Sequence, residues 1–426
     1  MQNAREIALN ILYKIEVGES YSNLTLDKEL NKSDLSKLDR ALVSELVYGV
    51  LTWKLTLDEI IKRYSSIRLK KISPWIINIL RIGIYQIAFL DKIPESAAVN
   101  ESVKLAKKYG HEMSAKFTNA ILRKIEKTEY DKLLQYINEK TYTEEEKISI
   151  MTSHPIWLVD KLLKYYSKYF VIKLLDANNK TPETTIRANL IKTSRDELKK
   201  LFELKGIDCR SGNLPDSIFV KHLTEFNEQL FIVQDEAAQR AVLELEPQEN
   251  EVILDACSSP GGKTSYISAL MRNTGRVDAW DIHEHRVQIV KNLCKKLGIT
   301  NVIASVADST EYHTLLKERY DRVLLDVPCS GIGVIRKKPD IKWTRKEEDI
   351  EELIKTQREI LECGAAYLKV GGTMVYSTCT IIKDENELQI SAFLKKHSDF
   401  KLVKEIKLFP NVDGTDGFYI AKMIKV

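Results

Sequence analysis

Two thiols and a carboxylate in the second half of the chain are of residue types that can do chemistry. Asp326 and Cys329 lie in the stretch LLDVPCSGIGV at 324–334, and Cys379 follows the apolar run TMVYST at 373–378. A thiolate can add to an electrophilic carbon, and a nearby carboxyl group can hold or deliver a proton. The alternative is that these residues have only a structural role. Pro and Gly commonly end a strand, and an isolated cysteine is usually a small buried apolar side chain.

A glycine-rich turn occurs earlier in the chain, in the stretch DACSSPGGKT at 255–264. It differs from an ATP-binding phosphate loop, because Cys257 stands where the GxxxxGK[ST] pattern requires glycine. A tight glycine turn that opens a helix still lets a ligand approach backbone N–H groups. Asp281, at the end of the next predicted strand, is placed to hold a pair of ribose hydroxyls. A nucleoside cofactor without a phosphate requirement fits both features, which favours S-adenosylmethionine over NAD.

Strands alternate with helices from about residue 230 onward, which is typical of a doubly wound parallel sheet. Strands are predicted at residues 251–256, 276–282, 301–308, 322–327 and 373–378. Ligands of such sheets bind beyond the carboxyl ends of the strands. An apolar strand needs no carboxylate at its tip for packing, so acidic strand ends indicate a binding site. The predicted strand ends are Asp255, Asp281, Asp308, Asp326 and Thr378-Cys379.

The composition is that of an ordinary globular protein. The 426 residues are 44% hydrophobic and 30% charged, which is enough for two or three domains with real cores. No run approaches the ~20 apolar residues of a membrane span and no signal-peptide pattern is present, so we expect a cytoplasmic protein. The six cysteines form no CxxC pair and are expected to be free thiols. His283 and His285 lack a third ligand motif nearby, so no metal is expected.

Three domains are predicted from the change of pattern along the chain. Residues 1–140 have apolar residues spaced by three and four, which predicts an all-helical bundle with helix starts at Ser73-Pro74 and Pro94. Residues 141–235 are predicted to form a small α+β module, and residues 236–426 carry the alternating pattern. The charged stretch EKTYTEEEKISI at 139–150 lacks a clear core stripe and is the predicted link between the first two domains.

The motifs DACSSPGGKT, LLDVPCSGIGVIRKKPDIKW and MVYSTCTIIKDEN together resemble the signature motifs of RNA cytosine-5 methyltransferases. With a helical domain in front of them, they resemble the Sun (Fmu) family of small-subunit ribosomal RNA methyltransferases. The stretches SHPIWLVDKL and RANLIKT are similar to the small RNA-binding module that precedes the catalytic domain in this family. The resemblance spans nearly the whole chain. It implies an all-α bundle similar to the NusB antitermination factor, a small α+β module, and a Rossmann-like class I methyltransferase domain with a doubly wound mixed sheet.

The resemblance implies transfer of a methyl group from S-adenosylmethionine to carbon 5 of a cytosine through a covalent Cys-cytosine intermediate. Carbon 5 is a poor nucleophile, so a thiolate must first add at carbon 6. The resemblance assigns that addition to Cys379 and product release to Cys329, while Asp326 is suited to acid–base pairing with the ring and Lys263 belongs to the same predicted catalytic set. The residues expected to bind the cofactor are Cys257, Ser258, Ser259, Pro260, Gly261, Gly262, Lys263, Asp281, Arg286, Asp308, Asp326 and Pro328.

Basic residues predict RNA contacts in the first two domains and in the stretch that follows Pro328-Cys329, which we call the Pro-Cys motif. The net charge is +5 for residues 1–140, zero for 141–235 and −1 for the remainder. Solvated helical faces produce such an excess as often as polyanion binding does, but the cluster IKRYSSIRLKK at 61–71 and the stretch IRKKPDIKWTRK at 335–346 favour phosphate contact. The residues predicted to contact RNA are Arg63, Arg68, Lys70, Lys71, Arg187, Arg336, Lys337, Lys338 and Trp343.

The expected partner is small-subunit ribosomal RNA, specifically 16S, with no membrane association and a monomeric protein. Transfer RNA or large-subunit ribosomal RNA would suit the same chemistry. A ribosome-assembly factor with a vestigial enzyme domain is a third possibility, against which the intact Asp326, Cys329 and Cys379 argue. DNA cytosine methyltransferases place the nucleophile in the Pro-Cys motif, so the second cysteine motif, Ser377-Thr378-Cys379, favours RNA over DNA.

Overall fold

Two compact units make up the chain in the computed structural model, which describes residues 3–18, 22–221, 227 and 229–426. The helical unit comprises Met1–Asn179 and Ile335–Thr344, and the sheet unit comprises Lys180–Val334 and Arg345–Val426. The chain therefore contributes ten residues to the helical unit directly after the Pro-Cys motif, a division that the sequence did not predict.

The elements follow one another along the chain with short connections. The α-helices of the described residues are α1 (Ala4–Glu16), α2 (Ser22–Lys32), α3 (Lys37–Tyr64), α4 (Pro74–Phe89), α5 (Glu95–Tyr109), α6 (Glu112–Leu122), α7 (Glu129–Glu139), α8 (Glu144–Thr152), α9 (Ile156–Leu163), α10 (Lys168–Asn178), α11 (Arg195–Leu204), α12 (Glu236–Leu245), α13 (Gly262–Leu270), α14 (Glu284–Leu297), α15 (Ile341–Thr344), α16 (Glu348–Tyr367), α17 (Glu387–Lys396) and α18 (Pro410–Asp413). The strands are β1 (Thr184–Ala188), β2 (Cys209–Ser211), β3 (Ser217–Val220), β4 (Phe231–Val233), β5 (Val252–Asp255), β6 (Arg276–Asp281), β7 (Val302–Val306), β8 (Tyr320–Asp326), β9 (Leu368–Thr378), β10 (Phe400–Leu408) and β11 (Phe418–Lys425).

The helical unit confirms the predicted bundle, including the helix start at Pro74, where the Ser73 side chain accepts a hydrogen bond from the N–H of Ile76. Its core is built from the apolar stripes of α1, α3, α4 and α5. Helix α8 occupies most of the stretch 139–150 that was predicted as a link, and the stretch lies within the helical unit. A capping box between Thr143 and Glu146 starts that helix, and Ile148 and Ile150 are buried.

The sheet unit contains two sheets. The small one is antiparallel, with strand order β2-β3-β1-β4, and α11 packs on it through Leu198 and Phe202. The large one has seven strands in the order β10-β11-β9-β8-β5-β6-β7. Strands β9, β8, β5, β6 and β7 run parallel to one another, whereas β11 is antiparallel to both β9 and β10. This is the doubly wound mixed sheet that the sequence motifs imply.

Helices cover both faces of the large sheet. One core cluster contains Leu325 and Tyr376 with Ile360 of α16 and Phe393 of α17. The other contains Leu324 and Val375 with Ala237, Val242 and Tyr266 of α12 and α13. Successive strand residues thus point to opposite faces, and both faces are apolar, which is why the parallel strands read as continuous hydrophobic runs.

Candidate active site

The carboxyl ends of the parallel strands meet at one edge of the large sheet. The Cα atoms of Asp326 and Ser377 are register partners at the ends of β8 and β9, and Asp255 pairs with Leu324 between β5 and β8. Asp281 ends β6, and Asp308 lies two residues beyond β7. The register therefore brings together the strand ends that the sequence singled out.

Asp326 joins the glycine turn to the cysteine-bearing strand. Its Oδ2 accepts a hydrogen bond from Nζ of Lys263 at 2.6 Å, and its Oδ1 accepts one from the hydroxyl of Ser377 at 2.8 Å. Burial by itself would lower the pKa of Lys263, but the adjacent Asp326 carboxylate raises it overall. Lys263 therefore carries a positive charge in the middle of the site.

The two predicted catalytic thiols are in contact. Sγ of Cys329 lies 3.3 Å from Sγ of Cys379, although 50 residues separate them in the chain. The hydrogen bond with Cys379, followed by burial, raises the pKa of the Cys329 thiol well above its ordinary value. The contact and the burial therefore favour the protonated form of Cys329.

A buried carboxylate that the sequence analysis missed holds the loops that carry these thiols. Glu385 is fully buried, and its Oε2 accepts hydrogen bonds from the backbone N–H of Ser330 at 2.8 Å and from Nε2 of Gln357 at 3.0 Å. Its Oε1 accepts the hydroxyl of Ser330 at 2.5 Å. The only signal in the sequence was its place in the motif MVYSTCTIIKDEN.

The glycine turn is built as predicted, between β5 and α13. Gly261 adopts φ +103°, a left-handed conformation that favours glycine, and an added Cβ would lie 3.1 Å from Cδ2 of Leu293. Ser258 donates its backbone N–H and its hydroxyl to the carbonyl of Trp280, at 2.8 and 2.9 Å, which ties the turn to β6. The backbone of the turn is thereby fixed against the second strand.

Asp255, which the sequence analysis identified only as a strand end, is buried beneath this turn. Its Oδ2 accepts the hydroxyl of Thr264 at 2.7 Å, whereas its Oδ1 is buried without a hydrogen-bond partner among the described residues. Burial raises the pKa of Asp255 to about 7. An acidic group that titrates near neutrality therefore lies under the predicted cofactor loop.

The remaining predicted cofactor residues surround the ends of β5 to β8. Oδ1 of Asp281 accepts the N–H of His283 at 3.0 Å, and Arg286 approaches Oδ2 at 4.0 Å. Asp308 accepts both the N–H and the hydroxyl of Thr310. Burial, with Asp255 and the other nearby carboxylates, raises the pKa of the Cys257 thiol. Ser259 is half-buried, and Pro260 and Pro328 are exposed.

Three comparisons with known proteins agree with this geometry. The NusB family model matches residues 2–127, a ferredoxin-like domain model of RsmF/B-like methyltransferases matches 154–226, and the model of 16S rRNA methyltransferase RsmB/F matches 242–424. A Bacillus subtilis protein named probable ribosomal RNA small subunit methyltransferase B is 36% identical, with 99% of each chain covered. The chain belongs to the RsmB/F (Sun) family. It is therefore an S-adenosylmethionine-dependent rRNA methyltransferase, with the NusB-like domain that the motifs imply.

A second relative and one solved structure cover nearly the whole chain, and another solved structure covers two thirds of it. Ribosomal RNA small subunit methyltransferase B of Photorhabdus laumondii is 35% identical over 99% of each chain. The crystal structure of PH0851 has a TM-score of 0.82 at 26% identity and covers 100% of this chain and 99% of its own. A methyltransferase homolog protein from Pyrococcus horikoshii has a TM-score of 0.60 at 27% identity, covering 67% of this chain and all of its own. The predicted fold class is confirmed.

The basic residues predicted to contact RNA differ in their surroundings. Arg68, Lys70 and Lys71 are exposed. Arg63 forms an ion pair with the buried Glu129 at 2.9 Å. Arg187 is fully buried, donates to the carbonyl of Gly262 at 2.7 Å and to the hydroxyl of Ser265 at 2.9 Å, and burial lowers its pKa to about 10. This position favours support of the glycine turn over RNA contact for Arg187.

The segment after the Pro-Cys motif packs within the helical unit. Helix α3 is kinked at Trp53, and Nε1 of Trp343 donates to the carbonyl of Leu51 at 2.6 Å. The fully buried Nζ of Lys342 donates to the carbonyl of Thr52 at 3.1 Å. The segment therefore satisfies the backbone oxygens that the kink frees, which favours a packing role for Trp343. Arg336 and Lys337 are half-buried, and Lys338 is exposed.

The structure gives two further findings on ligands and membranes. Within the described ranges, no group of three or more His, Cys, Asp or Glu side chains is arranged to hold a metal ion. None of the described helices is both long enough and apolar enough to cross a membrane. His283 and His285 stack on one another with ring centroids 5.5 Å apart.

Proposed function

We propose that this enzyme methylates carbon 5 of a cytosine in 16S ribosomal RNA, through a covalent bond between Cys379 and the base. The observation that carries the proposal is the 3.3 Å distance between Sγ of Cys329 and Sγ of Cys379. Carbons 5 and 6 of cytosine are bonded neighbours, so two groups that act on them must lie close together. An extruded base could meet both thiols at once.

The cofactor in this proposal is S-adenosylmethionine, bound at the ends of β5 to β8. Three observations fit this cofactor. The turn has a glycine in the left-handed conformation at Gly261. Oδ1 of Asp255 is buried and has no hydrogen-bond partner among the described residues, and the carboxylates of Asp281 and Asp308 lie at or just beyond the ends of β6 and β7. We expect Asp281 to hold the ribose hydroxyls and Asp308 the adenine amine. When bound, the cofactor supplies an electrophilic methyl group.

Cys379 is the proposed nucleophile. Its thiolate adds to carbon 6 of the ring, which makes carbon 5 nucleophilic toward the electrophilic methyl group that the cofactor would supply. The charge of Lys263 interacts favourably with an anionic Cys379, and such a cation favours the thiolate form. Asp326, paired with Lys263, is proposed to bind the polar edge of the ring and to deliver a proton as charge builds there.

Cys329 is proposed to act in the second half of the reaction. Before addition, the hydrogen bond with Cys379 is the main reason that the pKa of Cys329 is raised. Once the sulfur of Cys379 is bonded to carbon 6 it is a neutral thioether, so that cause disappears. Cys329 can then lose its own proton to solvent and, as a thiolate, accept the proton of carbon 5. The electron pair of that C–H bond re-forms the double bond between carbons 5 and 6, Cys379 leaves as the thiolate, and Asp326 takes back the proton that it delivered.

The proposed substrate rests on the relatives and on charge. Proteins related over their full length are named ribosomal RNA small subunit methyltransferases. The first 140 residues carry a net charge of +5, and Arg68, Lys70 and Lys71 are exposed in one short segment, which suits phosphate contact. We propose these three residues as RNA contacts, with Lys338 after the Pro-Cys motif as a fourth.

Bisulfite mapping of RNA from cells with and without the protein tests this function. We expect one 5-methylcytosine in 16S ribosomal RNA to disappear in the deletion strain and to return when wild-type protein is supplied, but not when Cys379→Ala is supplied. Loss of the mark from transfer RNA or large-subunit RNA instead would change the substrate and keep the chemistry. Unchanged cytosine marks in every RNA would refute the proposed reaction.

A further inference from the structure

The carboxylate of Glu385 is an unusual group to find in a protein core. The side chain is fully buried, at the end of the 3₁₀ turn Lys383–Glu385 that follows the second cysteine motif. Burial raises its pKa, and three donated hydrogen bonds oppose that effect. An apolar side chain would fill the same space at lower cost, so packing does not explain a carboxylate there.

Hydrogen bonds of the Glu385 carboxylate reach the loop that carries Cys329 from both of its sides. Ser330, the next residue in the chain, donates both its backbone N–H and its hydroxyl to the carboxylate. Gln357 donates to Glu385 and also to the carbonyl of Pro328 at 3.0 Å, on the other side of the cysteine. The backbone on both sides of Cys329 is thus tied, directly or through Gln357, to one carboxylate.

The same network reaches the residue that follows the other thiol. The hydroxyl of Ser330 lies 2.8 Å from the hydroxyl of Thr380, which comes directly after Cys379. The carbonyl of Cys379 itself accepts the N–H of Gly333 at 3.0 Å, and an added Cβ on Gly333 would lie only 1.9 Å from the carbonyl oxygen of Gly417. The loop after Cys329 and the end of β9 are therefore held together by two hydrogen bonds and by close backbone packing at Gly333.

We propose that Glu385 is a positioning residue that sets the spacing of the two thiols, acting through Ser330 and Thr380. The inference deepens the proposed function, because two thiols that act on adjacent ring carbons must keep a fixed separation. Displacement by about 1 Å can cost up to a hundredfold in the rate of such an oriented reaction. Glu385 touches neither thiol, so its effect is on their geometry.

Glu385→Gln tests the proposal in the full-length protein, with Glu387→Gln as the matched control. Glu387 lies two residues further along, and its carboxylate pairs with Lys407 at 2.7 Å, away from both thiol loops. The glutamine keeps the shape of Glu385 but turns one acceptor oxygen into an NH₂ donor facing the donors of Ser330. Cofactor binding by calorimetry and the unfolding midpoint identify any general damage to the fold.

Thiol spacing is measured directly with dibromobimane, which loses two bromides as it alkylates two neighbouring thiols and fluoresces once both arms have reacted. Wild type and Glu387→Gln should give the same fluorescence, above the background set by Cys329→Ala. Glu385→Gln should give at most a third of that signal. Wild-type fluorescence from Glu385→Gln would overturn the inference, and this readout is independent of whether the enzyme methylates cytosine.

Single-turnover methylation is the second readout. We expect the rate of Glu385→Gln to fall by about tenfold or more at unchanged cofactor affinity. Ser330→Ala should lower the rate as well, and the double variant should be no slower than Glu385→Gln alone, because one residue acts through the other. Additive losses would overturn the proposed route through Ser330. Absence of 5-methylcytosine with the wild type would refute the proposed function but leave the spacing result to stand on its own.

Discussion

Nζ of Lys263 lies 2.6 Å from Oδ2 of Asp326, and both side chains are largely buried, with 14% and 26% of their surface exposed. The pair connects the start of α13 to the end of β8 at the point where the two cysteine motifs meet. Lys263 thus links the glycine turn to Asp326, and we propose that it serves both the cofactor loop and the catalytic centre.

Lys263→Met should leave Asp326 without its cation. We expect the free energy of unfolding to fall by about 1–3 kcal/mol and methyl transfer to fall at least about tenfold, since a charge beside Cys379 is lost. Urea unfolding and a methyl-transfer assay measure the two effects. Lys369→Met is the control, because that lysine forms an ion pair of the same length, 2.6 Å, with Asp321 at the opposite end of β8 and is more exposed. Equal losses in both variants would contradict a special role for Lys263.

The two thiols should behave differently on a denaturing gel after incubation with RNA and cofactor. Cys379→Ala should neither methylate nor form a covalent complex, because the ring never becomes nucleophilic. Cys329→Ala should accumulate protein attached to RNA, because addition and methylation proceed while release is slowed. A slow-migrating band from Cys379→Ala instead would move the nucleophile to the Pro-Cys motif. No band from either, with RNA binding intact, would refute the division of labour.

Asp281→Ala should weaken binding of S-adenosylmethionine by roughly 1–3 kcal/mol, the cost of losing a charge-assisted hydrogen bond. Isothermal titration calorimetry measures this change. Asp399→Ala serves as the control, since Asp399 is about half exposed and lies between α17 and β10. Unchanged affinity of Asp281→Ala would remove the ribose assignment.

Asp255 should make stability depend on pH. Its pKa is raised from 3.8 to about 7 by burial, so the folded protein binds the proton more tightly than the unfolded chain does. That contribution is fully present below about pH 4 and is lost as the pH rises through about 7. Asp255→Asn cannot titrate, so its stability relative to wild type should rise between pH 4 and 8 by an amount on the order of a few kcal/mol. The free energy of unfolding of both proteins is measured by urea unfolding at several pH values. A constant difference between wild type and Asp255→Asn would show that Asp255 does not titrate in this range.

Lys342→Met should destabilise the helical unit. The lysine is fully buried and donates to the carbonyls of Thr52 and Ser153 and to Oδ1 of Asn179. Removing the donor takes away the hydrogen bonds to one buried and two partly buried oxygens, which we expect to cost about 1–3 kcal/mol. Hydrogen exchange should increase around the kink of α3 and leave β5 and β8 unchanged. Lys338→Met, at an exposed position of the same segment, should have no such effect.

The kink at Trp53 also gives Lys342 and Trp343 a packing role that the sequence analysis did not predict. The N–H groups of Leu55 and Thr56 approach the hydroxyl of Ser153, while the freed carbonyls of Leu51 and Thr52 accept from Trp343 and Lys342. A stretch rich in lysine and arginine is typical of a nucleic-acid contact. The residues of this stretch by themselves do not distinguish such a contact from a segment whose basic side chains are buried in the protein. The hydrogen-bond partners of Lys342 and Trp343 lie 163 to 292 residues away along the chain.

The sequence by itself determined the helical bundle, the five parallel strands and the order of the catalytic motifs, because these depend on local periodicity and on residue types at strand ends. Strand β10 gave no such signal, since it is a largely exposed edge strand that pairs only with β11. Only the tertiary structure decided that Cys329 contacts Cys379, that Glu385 binds Ser330, and that Arg187 is buried under the glycine turn. Each of these joins residues from different elements, and such contacts are set by strand register and packing, which leave no trace in the neighbouring sequence.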